Sequence, residues 1–282
     1  MLARRGPRVA AMTFSIVARS ADGESWGVAV ASKFLAVGSV VPAAVAGIGA
    51  VATQADANVS WKGEALSLLD EGATAAVAVE RLVTDDDRPS HRQVGVVDGD
   101  GNASAHTGDD CLPWAGDVVG AGVSMQGNVL AGPEVLEAMR QSWDGSHEEP
   151  DLARRLLAAL QAGDAAGGDR RGRQSAALLV VRDGAGYAGG DDVAVDLRVD
   201  DHPQPCGELG RLLDLNHLYL TASRDEEKVA LDDDLRAEVE RRARALGHRE
   251  FAAWVGSENY EMRAGDDWVD VLVLQALRDA TS

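Results

Sequence analysis

Apolar and polar positions alternate most clearly where the chain reads TFSIVAR, at Thr13–Arg19. Phe14, Ile16 and Ala18 alternate there with Ser15 and Val17, the period of two that predicts a strand. After the Asp22-Gly23 turn signal, residues 26–32 (WGVAVAS) predict its hairpin partner. Residues 48–53 predict a third strand, which ends in the polar stretch 54–60. Residues 93–98 and 103–107, joined by Gly99-Asp100-Gly101-Asn102, predict a second hairpin. Residues 175–182 and the alternating Val193, Val195, Leu197 and Val199 predict two more strands.

Helical spacing appears between these runs. Leu66 and Leu69 predict a helix over 61–70 with Gly72 as its C-terminal cap, and Thr74 caps a second helix to Val83. Pro133 opens a helix with Val135, Leu136, Met139 and Trp143 on one face. Asp151 caps another, with Leu152, Leu156, Leu157 and Leu160 inward and Gly163 at its end. Strands, helices, strands, helices, strands in that order predict a layered α+β fold rather than βαβ units. Beyond about Asp225 the charge density rises, and 231–245 and 269–277 predict amphipathic helices of a small helical appendage at 225–282. The main domain is expected at 12–224, with residues 1–11 as an extension.

Composition narrows the function. Of 282 residues, 46 are acidic and 27 basic, a formal net charge of −19 that repels phosphate backbones and argues against a nucleic-acid partner. Only Lys33, Lys62 and Lys228 are lysines, so Lys33 stands out in the uncharged run GVAVASKFLAVGSVVP. No run approaches the roughly 18 apolar residues of a membrane span, and MLARRGPRVAA lacks the apolar core of a signal peptide. With two unclustered cysteines, Cys111 and Cys206, a reducing, cytoplasmic setting is expected. No zinc, phosphate-loop, dinucleotide or serine-elbow motif is present, so neither a metal nor a cofactor is expected.

Candidate chemistry begins at Met12-Thr13. If Thr13 were the first residue of the working chain, its α-amine could serve as base for its own hydroxyl, a weak nucleophile that needs one. A neighbouring ammonium would lower that amine's pKa, and Lys33 could supply it. Lys33 could equally snorkel to the surface, and Thr13 could simply begin a strand. In SMQGNVLAGPE, Gly127 and Asn128 could bring a backbone N–H and a carboxamide onto an oxyanion, or form a plain turn. Arg170, Arg171 and Arg173 could clamp a carboxylate or balance the acidic surface. Of six scattered histidines, His106 is the one beside further polar candidates, Thr107 and Asp109.

Taken together, MTFSIVAR, WGVAVASKF, GAVATQA, RQVGVVD, HTG with a cysteine four residues on, QGNVLAGPEV and AGGDRRGRQSAALLVVR resemble the family catalogued as domain of unknown function 1028. The resemblance spans about residues 12–200 and implies the N-terminal nucleophile hydrolase fold, a four-layer αββα sandwich of two antiparallel sheets. It implies an amide-bond hydrolase with Thr13 as nucleophile, Lys33 as the nearby cation, and Gly127 and Asn128 as oxyanion donors. It keeps Asp169, Arg171, Gln174 and Ser175, with His106, as substrate-binding candidates. Family members usually begin at the equivalent of Met12, so residues 1–11 are expected to reflect a misassigned start, the alternatives being a segment cleaved between Met12 and Thr13 or a blocked, inactive copy.

The tail LGHREFAAWVGSENYEMRAGDDWVDVLVLQALR resembles a small domain described as peptidoglycan-binding, though Trp254, Tyr260 and Trp268 could equally cover apolar surface. The leading expectation is a cytoplasmic threonine hydrolase of a small amide. The alternatives are a non-catalytic binding protein recognising peptidoglycan or peptide, and an assembly protein that forms a homo-oligomer.

Overall fold

The structure is a computed structural model that describes residues 13–282. The expectations placed on residues 1–11 and Met12 lie outside the described residues. The first half runs β1 (Thr13–Arg19), β2 (Ser25–Ser32), β3 (Pro42–Val45), β4 (Gly49–Ala55), α1 (Trp61–Asp70), α2 (Ala75–Asp85), β5 (Arg92–Asp98) and β6 (Ala103–Thr107). Then come β7 (Gly116–Gly120), β8 (Val123–Gly127), α3 (Glu134–Gly145), α4 (Leu152–Ala165), β9 (Ser175–Arg182), β10 (Val193–Val199) and α5 (Pro205–Leu220). The tail adds β11 (Lys228–Ala230), α6 (Asp233–Ala245), α7 (Phe251–Ser257), β12 (Trp268–Asp270) and α8 (Val271–Ala280).

The fold is mixed α and β with antiparallel sheets. One has six strands in the order β10-β9-β2-β1-β8-β7, and another has four in the order β3-β4-β5-β6. The alternation along β1 decides what each face meets. Phe14 and its neighbours on that face meet α4, where the ring lies close to Gly163 and Gly168. On the opposite face, Val17 joins Val28 and Val30 of β2 and Ala50, Ala52 and Val97 of the four-stranded sheet in one buried cluster. Helices α1 and α2 cover the other face of the four-stranded sheet through Trp61, Ala65, Leu69, Ala78 and Leu82 against Val51, Val94 and Val96. Each such fully buried Val or Leu contributes about 1.5–3 kcal/mol.

The capping residues act as their sequence context predicts: Thr74 accepts from Val77 N and Asp151 from Ala153 N. Gly163 differs. It lies inside α4, where an added Cβ would stand 2.7 Å from Met139 Cγ, so this glycine serves helix–helix packing and not termination. Strand β8, for which the sequence predicts no element, is the more consequential difference. Val123 and Met125 alternate with Ser124 and Gln126, and all four are buried. Its polar face is turned into the protein, so it lacks the apolar-in, polar-out contrast by which strands are read.

The chain divides into two compact units between Arg211 and Leu212, inside α5 and ahead of residue 225, where the charge texture changes. The physical reason is that Leu218 and Tyr219 pack with the tail's core. The second unit comprises α6–α8 with the two-stranded β11–β12 sheet. Phe251, Trp254 and Tyr260 are buried in its core, with Trp254 and Tyr260 ring centroids 5.5 Å apart. Of the three tail aromatics named as candidates to cover apolar surface, Trp254 and Tyr260 are therefore core residues of this unit. Among the described residues, no helix is long and apolar enough to cross a membrane.

Candidate active site

Thr13 begins β1, which lies between β2 and β8, and its side chain is fully buried. Its register partner on β2 is Ser32, to which Thr13 Oγ1 donates at 3.2 Å. The Thr13 carbonyl accepts from Asn128 N at 3.0 Å and from Gln54 Nε2 at 3.3 Å. Thr13, Gly127 and Asn128 are thus brought together. Successive strand residues point their N–H groups to opposite sides, so with Asn128 N on β1 the Gly127 N–H is turned to the β7 side. Of the two oxyanion candidates, the Asn128 carboxamide is the one available beside Thr13.

What orients that carboxamide is a set of buried amides between the sheets. Ser124 Oγ donates to Gln126 Oε1 at 2.7 Å, Gln126 Nε2 to Ser15 Oγ at 2.6 Å, and Ser15 Oγ to Gln54 Oε1 at 2.7 Å. Gln54 Nε2 then donates to Gln93 Oε1 at 2.8 Å, and Gln93 Nε2 to Thr107 Oγ1 at 2.9 Å, which donates to Asp117 Oδ1 at 2.6 Å. Every link runs in the same direction, the arrangement in which each bond polarises the next. Asn128 Nδ2 joins it by donating to Gln93 Oε1 at 2.9 Å. Gly95 makes room for it: a Cβ there would fall 2.0 Å from Gln126 Oε1.

Asn128 also lines a pocket of about 250 Å³ together with Ala55, Asp56, Arg88, His91 and Cys111. Backbone strain borders it, since Ala55 (φ 67°) and Val129 (φ 53°) hold left-handed conformations that residues other than glycine rarely adopt, the β-branched Val129 least of all. Val129 is fixed there by its N–H on Leu112 O at 2.9 Å and by Arg170 N on its own carbonyl at 3.1 Å. Burial pushes the Cys111 thiol up to about 11, so it is protonated at neutral pH and is no thiolate nucleophile.

The other candidates have structural partners. Lys33 is exposed, and its Nζ donates to Arg173 O at 3.3 Å; among the described residues no hydrogen bond joins it to Thr13. Asp169 is buried and accepts from Lys33 N at 2.8 Å, from Arg171 N at 3.0 Å and from Arg171 Nε and Nη2 at 3.1 and 2.8 Å. Arg173 pairs with Asp164 at 2.7 Å, so two of the three loop arginines hold carboxylates of the chain itself. Ser175 Oγ donates to Phe34 O and accepts from Val37 N, pinning the turn after β2. Gln174 Nε2 donates to Asp201 Oδ1 at 3.1 Å. His106 Nε2 bonds Pro89 O at 2.9 Å on the edge strand β6. Among the described residues, no group of three or more His, Cys, Asp or Glu converges as a metal site.

The sequence does not single out the glutamines, and Gln54 reads there as the start of a polar stretch. The signal available was one glutamine near one end of each of three runs rich in small residues, GAVATQA, RQVGVVD and VSMQG.

Residues 13–209, which hold Thr13, the amide chain and the arginine loop, match the family of unknown function DUF1028. The chain belongs to that family. A DUF1028 protein of known crystal structure, SPO2555 from Silicibacter pomeroyi, is 32% identical and superposes with a TM-score of 0.66 over 76% of this chain and 91% of its own. No curated protein matches this DUF1028 chain.

Proposed function

We propose that the protein hydrolyses a small amide with Thr13 as an N-terminal nucleophile, and that its helix-covered pair of sheets is the αββα sandwich of hydrolases of that type. The observation that carries this reading is the placing of Thr13. It heads an inner strand with its hydroxyl on Ser32 Oγ and its carbonyl held by Asn128 N, beside an oriented carboxamide.

In the scheme, the free α-amine of Thr13 takes the Oγ1 proton as Oγ1 attacks the amide carbon. Asn128 Nδ2, with one N–H on Gln93, offers the other to the oxyanion. The C–N bond breaks, the amine leaves with the proton, and water hydrolyses the resulting ester. Lys33 enters only as positive charge one residue beyond Ser32. No cofactor takes part, and the substrate is a small molecule in keeping with the pocket beside Asn128.

The test is a chain whose first residue is Thr13, treated with an acylating lactone and followed by intact mass and by turnover of small amides. Thr13-first and Thr13→Ser chains should gain one acyl mass mapping to residue 13, and Thr13→Ala should gain none. Labelling or turnover that is equal in Thr13→Ala would overturn the reading.

A further inference from the structure

At the other end of β1, six residues and roughly 20 Å from Thr13, a cavity of about 370 Å³ is walled by Arg19, Ser20, Asp100, Trp143, His147 and Arg155. It adjoins a second, acidic cavity of about 250 Å³ that shares Ser20, His147 and Arg155 and is lined also by Asp22, Glu148 and Glu149. Both arginines are unusual for this chain, in which most guanidinium groups lie on carboxylates. Arg155 is only 8% exposed, yet it makes no ion pair among the described residues. Its guanidinium lies 3.8 Å from the Trp143 ring centroid; Nη2 donates to Trp143 O at 3.3 Å and Nε to Ser146 Oγ at 3.5 Å. Nη1 has no hydrogen-bond partner among the described residues. Burial pulls Arg155 below the usual arginine range, partly offset by Asp144 and Glu149 at longer range.

Arg19 repeats the arrangement. It stacks on Trp26 at 5.4 Å and donates through Nη1 to the backbone carbonyl of Asp100 at 3.3 Å. Its Nε is buried without a partner. Room for this head group is built into the turn, because a Cβ on Gly23 would lie 2.4 Å from Arg19 Nη2. Among the described residues, the nearby carboxylates make no ion pair with either arginine. Asp22 accepts from Ser20 Oγ and Glu24 N, and Glu149 accepts from Asp151 N at 3.0 Å. Asp100 alone brings a carboxylate to the larger cavity, against two guanidinium groups.

A desolvated cation without an ion-pair partner is costly, and an arginine fork with free donors matches the oxygens of carboxylate or phosphate. We propose that this cavity is a binding site for a small molecule bearing a carboxylate or phosphate group, gripped between Arg155 and Arg19. The site lies apart from Thr13, and the inference does not rest on the hydrolase reading.

The experiment titrates the full chain with inorganic phosphate and, separately, with succinate, against sodium chloride at equal ionic strength, reading tryptophan fluorescence and thermal midpoint. Because both arginines stack on indoles, saturable binding should change the emission. Phosphate alone, succinate alone or both responding separates the two sources. Arg155→Met and Arg19→Met should each weaken binding about tenfold or more, as expected for losing a charge-assisted hydrogen bond. Arg140→Met, an exposed change outside the cavity, should not. Ala121→Asp, on the cavity wall, should abolish binding by adding a carboxylate while leaving both stacks intact, which guards against misfolding of the arginine variants. Neither anion exceeding the chloride control, or binding surviving in both arginine variants and in Ala121→Asp, would overturn the proposal.

Discussion

Asn128 Nδ2 donates to Gln93 Oε1 across 2.9 Å, joining the end of β8 in the six-stranded sheet to β5 in the four-stranded one. The same glutamine accepts from Gln54 Nε2 and donates to Thr107 Oγ1 and to the carbonyls of Gly116 and Gly127. One buried amide therefore satisfies groups on four strands and on the residue beside Thr13.

Replacing Gln93 by leucine keeps the volume roughly constant and removes all of these partners at once. A buried polar group left unsatisfied costs about 1–3 kcal/mol, and Asn128 Nδ2, Gln54 Nε2 and Gly127 O would each lose one. The expected loss is about 3 kcal/mol or more in urea unfolding. Gln93→Glu should be comparably harmful, since it brings an acceptor to face the Gly127 carbonyl. A Gln93→Leu protein as stable as the parent would show that the amide chain contributes little.

Most strands were legible in the sequence because they are apolar or alternating runs bounded by turn residues. Thr13–Arg19 and Val193–Val199, read from alternation, Ala103–Thr107, read as half of a hairpin, and Ser175–Arg182 all have the bounds that the sequence predicts. Legibility failed where the inward face is polar. Gln126 on β8 and Gln54 on β4 point into the protein, and a glutamine in a sequence carries no mark of whether water or another amide will satisfy it. Arg171 illustrates the same limit from the other side. Its pattern fits a substrate clamp, but only the fold reveals that Asp169, two residues earlier, already occupies the fork.

Asp169 is expected to be a stability residue. Its side chain, 2% exposed, accepts four hydrogen bonds and ties the 167–173 loop to the N–H that follows β2. Asp169→Asn retains one acceptor oxygen and sets an NH₂ against donors, a loss of about 2 kcal/mol for charged hydrogen bonds of this kind. Arg171→Lys keeps the charge, gives up the fork and should cost less. Denaturant midpoints of the two variants test the order; Arg171→Lys being the more damaging would place the weight on the arginine instead.

Both cysteines are expected to be silent toward thiol reagents in the native protein. Burial pushes Cys111 up to about 11, and burial with a lesser contribution from Asp164 pushes Cys206 higher still. At pH 7.5 neither side chain offers an appreciable thiolate fraction, so a disulfide reagent should read no fast thiols until denaturant is added, when two should appear. Rapid native labelling of Cys111 would mean that the pocket beside Asn128 opens far more than its burial implies.

In the second unit, acid should act through Glu238. Its carboxylate accepts from Arg278 Nε and Nη2, both at 2.9 Å, and from Arg242 Nε at 2.8 Å, which holds it down to about 2 from an ordinary 4.5. A folded-state value below the unfolded one means that the unfolded chain takes up the proton first. The contribution of this cluster is therefore complete above about pH 4.5, falls away as the pH drops through the interval toward 2, and is absent below it. The Glu238→Gln variant should be less stable than the parent at pH 7 and should lose less between pH 4.5 and 2, so the two thermal midpoints converge on acidification. Parallel curves across that interval would place the acid sensitivity elsewhere, since a group already protonated or unpaired in the native state contributes no slope.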